Sequence, residues 1–305
     1  ERLLQISTDT DTYDLAMWMD FYEDLTGDLS LREIGNVNFQ INTSKTLNYG
    51  MTNSVFWLKF SLRATHDNKK ALSEIRVLDI GEAFPGRVKW TLYDGDSGNI
   101  IGSGGTEAAQ EKYAKIKFSY APQTFYLKVA STTGLLIYPR IFSWESYLDH
   151  INHHNILFGV FYGIIIAVSV YNLFLFFSFN DRSYLWYVLH LTFALLYFLG
   201  INGISNQLIL KQNPELFGTL NRAFLGFMTA FMALLTRSFL QTHLKAPKID
   251  LLIKAIFIAA CIIALMNLTF PARLTNTLLV VMGIIVPLMM AIWCLVLFKK
   301  ELETM

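Results

Sequence analysis

Apolar residues along this chain follow two periods. Between Asn36 and Phe142 they alternate with polar ones, which predicts short strands at 37–42, 54–63, 74–80, 87–94, 114–120, 123–130 and 135–142. Turn signals such as Asp94–Gly95 and Gly104–Gly105 separate them. Phe56, Leu58, Phe60 and Leu62 share one face of the second strand; Phe125, Leu127 and Val129 do so in the sixth, and Leu135, Ile137 and Ile141 in the seventh. Short strands at this spacing, with no helix between them, predict a jelly-roll β-sandwich over residues 1–145.

After that the alternation stops. No Asp, Glu, Lys or Arg occurs between Asp149 and Asp181, and the run from Ile156 to Phe179 is longer than the stretch of about 20 apolar residues that carries a helix across a bilayer. It begins too deep in the chain for a signal peptide. Four more runs follow, giving an α-helical polytopic bundle over 156–298 with spans at 156–179, 184–204, 217–238, 251–270 and 275–298. Asn180–Asp181, Asn213–Pro214, Pro247 and Pro271 mark the junctions. Residues 146–155 read as a juxtamembrane connector and 299–305 as a truncated cytoplasmic end.

Composition sharpens this division. The chain is 53% hydrophobic and only 16% charged, too apolar for an ordinary soluble protein. Residues 1–150 hold 15 basic and 19 acidic groups, residues 151–305 hold 10 and 5, and no dense basic stripe suggests nucleic acid. Starting outside puts Arg182, Arg237, Lys245, Lys248, Lys254, Lys299 and Lys300 on the cytoplasmic side, against Lys211, Arg222 and Arg273 outside. The N-terminal domain is therefore expected to be exported and the C-terminus cytoplasmic. Cys261 and Cys294 fall at different depths of their spans, so no disulfide is expected.

Candidate chemistry is concentrated in a few places. Trp57 and Lys59, Tyr126 and Lys128, and Tyr138 and Arg140 each set an aromatic ring two residues before a cation, on the non-core face of a strand. Such pairs suit stacking on a sugar ring and holding an anion, or simply covering a sheet. The acidic stretch 9–30 lacks the central Gly and twelfth Glu of a calcium loop and is expected to be a solvated lead-in. His150, His153 and His154 have a spacing that can hold a metal, but beside the first span they read as interfacial residues, with no metal or other cofactor expected. Arg222 is a possible intramembrane charge site, with snorkelling to the surface as the competing reading. Gly159 and Gly163 form a GxxxG pattern for close helix packing, within the bundle by preference or between protomers. No motif for catalysis is present: there is no HExxH, GxSxG or glycine-rich phosphate loop.

The stretch 159–200 resembles the opening helices of the bacterial seven-transmembrane receptors with diverse intracellular signalling modules, the 7TMR-DISM family. Those helices carry Gly-x-x-x-Gly, Tyr-Asn-Leu, a short turn with Arg, and a Tyr-x-x-Tyr start. Here these are Gly159 and Gly163, Tyr171–Asn172–Leu173, Asp181–Arg182, and Tyr184 with Tyr187. The front part resembles the family's second extracellular module at Asp24, Leu29 to Ile34, Phe39, Gly50 and Phe56 to Phe60, and Phe239, Leu240 and Pro247 fit the exit of the third helix.

The resemblance implies a periplasmic jelly-roll sensor similar to carbohydrate-binding modules, a seven-helix membrane domain, and a cytoplasmic output such as a histidine kinase or diguanylate cyclase. With five spans, the chain is expected to be a fragment or a truncated homologue. The expected function is a receptor, not itself an enzyme, in the bacterial inner membrane. Its expected partners are an outside small molecule or glycan, the lipid bilayer, a second copy of the chain, and a cytoplasmic signalling module or protein. The alternatives are a membrane-anchored glycan- or protein-binding module without signalling, and a transporter component using Arg222.

Overall fold

The computed structural model describes residues 2–7, 9–65, 75–81, 88–105, 113–117, 120–131, 134–202, 214–268 and parts of 277–295. The chain forms two compact units, one gathering residues up to Ile156 and the other beginning at Leu157.

Strict alternation makes Val55–Ala64 (β6) the centre of the first unit. Its apolar face, Phe56, Leu58, Phe60 and Leu62, is fully buried. Gln123–Ser131 (β11) and Asp20–Asp24 (β3) flank it antiparallel. Val88–Asp94 (β8), Ile100–Gly104 (β9) and Gln40–Ile41 (β4) complete the order β4-β3-β6-β11-β8-β9, and Leu3–Ile6 (β1) adds to β6 in parallel. A second sheet has the order β10-β7-β13-β2, from Tyr113–Ile116, Arg76–Asp79, Arg140–Ser143 and Thr12–Asp14. Leu47–Met51 (β5) pairs with Gly134–Ile137 (β12). One core lies between the layers, joining Phe60, Trp90, Phe125 and Leu127 of the first sheet to Leu78, Ala114, Ile116 and Ile141 of the second. Neighbouring strands are mostly non-consecutive, as a sandwich whose strands cross between sheets requires.

Two expectations change. Segment 9–30 is no solvated lead-in: it supplies β2, a 3-10 turn at Ala16–Trp18 and β3, with Leu15, Ala16 and Met19 in the core. Its acids occupy solvent-facing and turn positions while these apolar residues point inward. The strand expected over 135–142 is two strands, because Pro139 has no N–H to give and the chain crosses there from β12 to β13.

The second unit is helical. Among the described residues, four helices are long and apolar enough to cross a membrane: Trp144–Phe179 (α2), Arg182–Ile201 (α3), Thr219–Phe239 within Pro214–Phe239 (α4), and Pro247–Met266 (α6). Short helices occupy Leu31–Ile34 (α1) in the first unit and Thr242–Lys245 (α5) in the second. In the fifth expected span, 275–298, the described residues between 277 and 295 are helical, while Cys294 lies outside the described residues.

Polar and small residues join these helices. Tyr162 donates to the Phe198 carbonyl and accepts from Asn202 Nδ2 at 2.6 Å. His190 Nδ1 lies 2.9 Å from the Met228 carbonyl, so that nitrogen carries the proton. Between α4 and α6, Asp250 accepts from Arg237 and Thr242 and pairs with Lys254.

Candidate functional site

The large sheet brings four of the six expected ligand residues together. On adjacent β6 and β11, Tyr126 stands opposite Lys59 and Lys128 opposite Trp57. The segment Leu25–Phe39 lies over this face. Phe39 packs its ring 6.3 Å from Tyr22 and 6.0 Å from Tyr126, and Lys128 Nζ donates to the Gly27 carbonyl while sitting 5.0 Å from the Trp57 ring. Trp57 stacks on Tyr93 and is only 1% exposed. Its expected availability as a stacking platform is therefore corrected: the non-core face has a cover of its own, and Trp57 is part of what the cover buries.

Asp24 anchors that cover. One carboxylate oxygen accepts from the Thr26 and Gly27 N–H groups and the Thr26 hydroxyl, the other from the Leu29 N–H. Burial pushes the Asp24 carboxyl up, but the N–H groups of Gly27, Leu29 and Thr26 outweigh it and hold it below the usual carboxylate range.

Tyr138 and Arg140 lie elsewhere, so the six residues do not form one site. Tyr138 is exposed in the crossover between β12 and β13. Arg140 is on the second sheet, between Asp14 and Asp79 in register. The start of α2 packs on this sheet. Tyr147, 2% exposed, meets Tyr113 at 4.9 Å and Phe142 at 6.0 Å. His150 stacks on Phe142 at 5.3 Å, and Lys115 Nζ lies 5.4 Å from the Trp144 ring. Burial, then the nearby Asp79 charge, pushes the Tyr147 hydroxyl well above its ordinary value. The expected connector 146–155 thus lies within the first third of one unbroken 36-residue helix.

The three histidines diverge. His150 meets Arg140 and Phe142, and His153 Nδ1 meets the Asp149 carbonyl at 3.3 Å. Among the described residues no three His, Cys, Asp or Glu converge as metal ligands.

Sequence reasoning missed a cleft of about 300 Å³ lined by Ile75, Asp94, Ile101, Lys115, Lys117, Gln123 and Phe125. Its lining comes from the ends of five strands, so no local pattern marks it.

In the helical unit, Gly159 and Gly163 face outward, and among the described residues a Cβ added at either meets nothing within 4 Å. The preferred expectation of packing within the bundle is corrected for these two glycines. Close approaches occur instead at Gly200, packed on the Asn221 side chain, and at Gly226, where a Cβ would stand 2.6 Å from that of Ala264. Tyr171 is 62% exposed, while Asn172 is buried and donates to the Val168 carbonyl of its own helix. Arg222 is half-buried and donates to Thr219 Oγ1.

No curated protein matches the chain. Two family models do: one described as 7TMR-DISM extracellular 2 matches residues 16–143, and one described as 7TM diverse intracellular signalling matches residues 154–304. A sheet-rich extracellular module followed by a membrane module, in that order and over nearly the whole length, makes the chain a member of the 7TMR-DISM family of membrane signalling receptors.

Proposed function

We propose that residues 1–145 form a periplasmic sensor for a small molecule or glycan, and that 156–298 relay its state across the bacterial inner membrane to a cytoplasmic output module. The carrying observation is α2. Its first two turns pack on the second sheet through the buried Tyr147 and the half-buried His150, and the same helix continues as an apolar span to Phe179. A change in how the sheet grips those turns acts on the same helix that carries the span. The excess of Lys and Arg in the inner loops supports the orientation, with the C-terminus cytoplasmic.

For signalling, a ligand must bind two arrangements of the protein with different affinity. The test is hydrogen exchange on the full chain in lipid nanodiscs, with ligands found by a binding screen. A bound ligand that changes exchange in 144–156 and in the span beyond supports the receptor. A ligand that binds and leaves α2 unchanged supports an anchored binding module instead. A second copy of the chain, seated along the Gly159 and Gly163 face, completes the proposed partners.

A further inference from the structure

We propose that the cleft between the strand ends is the sensor's ligand site, that it takes a small hydroxylated carboxylate, and that Lys115 passes its occupancy to α2. The proposal rests on the receptor reading above and names the site that reading leaves open.

Three observations define the ligand. The cleft's volume of about 300 Å³ matches a small molecule, and Phe125, Ile101 and Ile75 give it apolar walls. Lys115 and Lys117 line it, and among the described residues neither is in an ion pair with a carboxylate. Asp94, the one acid among the described lining residues, has its Oδ1 engaged by the N–H groups of Asp96 and Ser97, which close its own turn. The lining therefore favours an anion. Gln123 begins β11 with its side chain on the core face, and its Oε1 is buried with no donor among the described residues. A buried acceptor of this kind asks for an O–H or N–H from whatever fills the space. A carboxylate for the lysines and a hydroxyl for Gln123 together specify a hydroxy acid, such as a sugar acid.

Lys115 also has a second engagement. Its Nζ lies 5.4 Å from the ring of Trp144, the first residue of α2, and 6.0 Å from that of Tyr113. A carboxylate in the cleft competes with these rings for the same ammonium group. Ligand binding thus loosens one contact at the start of the membrane-crossing helix, a differential interaction between two states of the kind signalling needs.

The test uses the full chain in nanodiscs with gluconate, galacturonate, glucose and acetate as probes. Calorimetry reads binding, and hydrogen exchange reads residues 144–148. Saturable binding of gluconate or galacturonate is expected, with glucose and acetate each at least about tenfold weaker. Lys117→Ala and Gln123→Leu should each weaken binding about tenfold. Lys115→Met should weaken binding and also abolish the ligand-induced rise in exchange at 144–148. Melting curves check that the variants fold, and both lysines are exposed. The proposal is overturned if neither hydroxy acid binds saturably, if the Lys115→Met Lys117→Ala double variant binds as the parent does, or if bound ligand leaves 144–148 unchanged. The receptor reading fails separately, when undocking Tyr147, which does not line the cleft, has no effect on the span.

Discussion

The Arg140 guanidinium lies 3.3 Å from His150 Nε2, and because arginine can only donate, Nε2 is the acceptor in this contact. The contact sits where β13 hands the chain to α2, with the His150 ring stacked on Phe142. A fixed positive charge at position 150 removes this acceptor and sets a second cation beside Arg140. His150→Lys is expected to speed hydrogen exchange in 144–151 several-fold, while His150→Gln, which keeps an acceptor, stays near the parent. Equal exchange in the two variants would show that charge at this joint is irrelevant.

Trp57→Ala should lower the stability of the sensor by about 3 kcal/mol, since it empties a fully buried site under the Leu25–Phe39 cover. Thermal unfolding followed by near-ultraviolet circular dichroism reads this. An unchanged melting temperature would mean that Trp57 is free on the surface, as its position in the alternation alone suggests.

Asp24 gives a pH dependence of defined sign. Its folded value lies below the ordinary 3.8, so it stabilises the sensor above the unfolded value, and that contribution is lost as pH falls through the folded one. Asp24→Ala should therefore be about 2 kcal/mol less stable than the parent at pH 7, with the gap closing as pH falls below the usual carboxylate range. Chemical denaturation at pH 7 and at low pH measures both gaps; equal gaps would contradict the assignment.

Gly226→Leu should destabilise the bundle by about 2 kcal/mol, because the new side chain meets Ala264 on the neighbouring helix. Gly159→Ala and Gly163→Ala should leave its melting in detergent within experimental scatter, since no described residue stands against them. The reverse ranking would mean that the GxxxG pattern packs inside the bundle.

These glycines show what the sequence makes legible. A GxxxG pattern is visible in one helix, but whether it meets a neighbour depends on the other helices, so Gly200 and Gly226 carry no mark of their own. The strands at 55–64 and 123–131 were legible because one face is wholly buried, which forces strict alternation. Leu3–Ile6, Thr12–Asp14 and Asp20–Asp24 were not, being short and rich in acids that face solvent or close turns. The aromatic and cationic residues of the outer faces were assigned to the non-core side, yet alternation says nothing of a later or earlier segment folding back over that side. Leu25–Phe39 does so over Trp57, and the start of α2 does so over Phe142. The cleft joins five strand ends and leaves no signature in any one of them.

In the proposed relay, α2 carries the state of the sensor into the membrane. It is tested most directly by the distance between spin labels at positions 177 and 244, both exposed in the helical unit, in the full chain in nanodiscs with Cys261 and Cys294 replaced by serine. Undocking the start of α2 with Tyr147→Ala and Trp144→Ala should shift or broaden that distance distribution relative to the parent. Superimposable distributions, with the sensor shown to be folded and the helix start undocked, would contradict the claim.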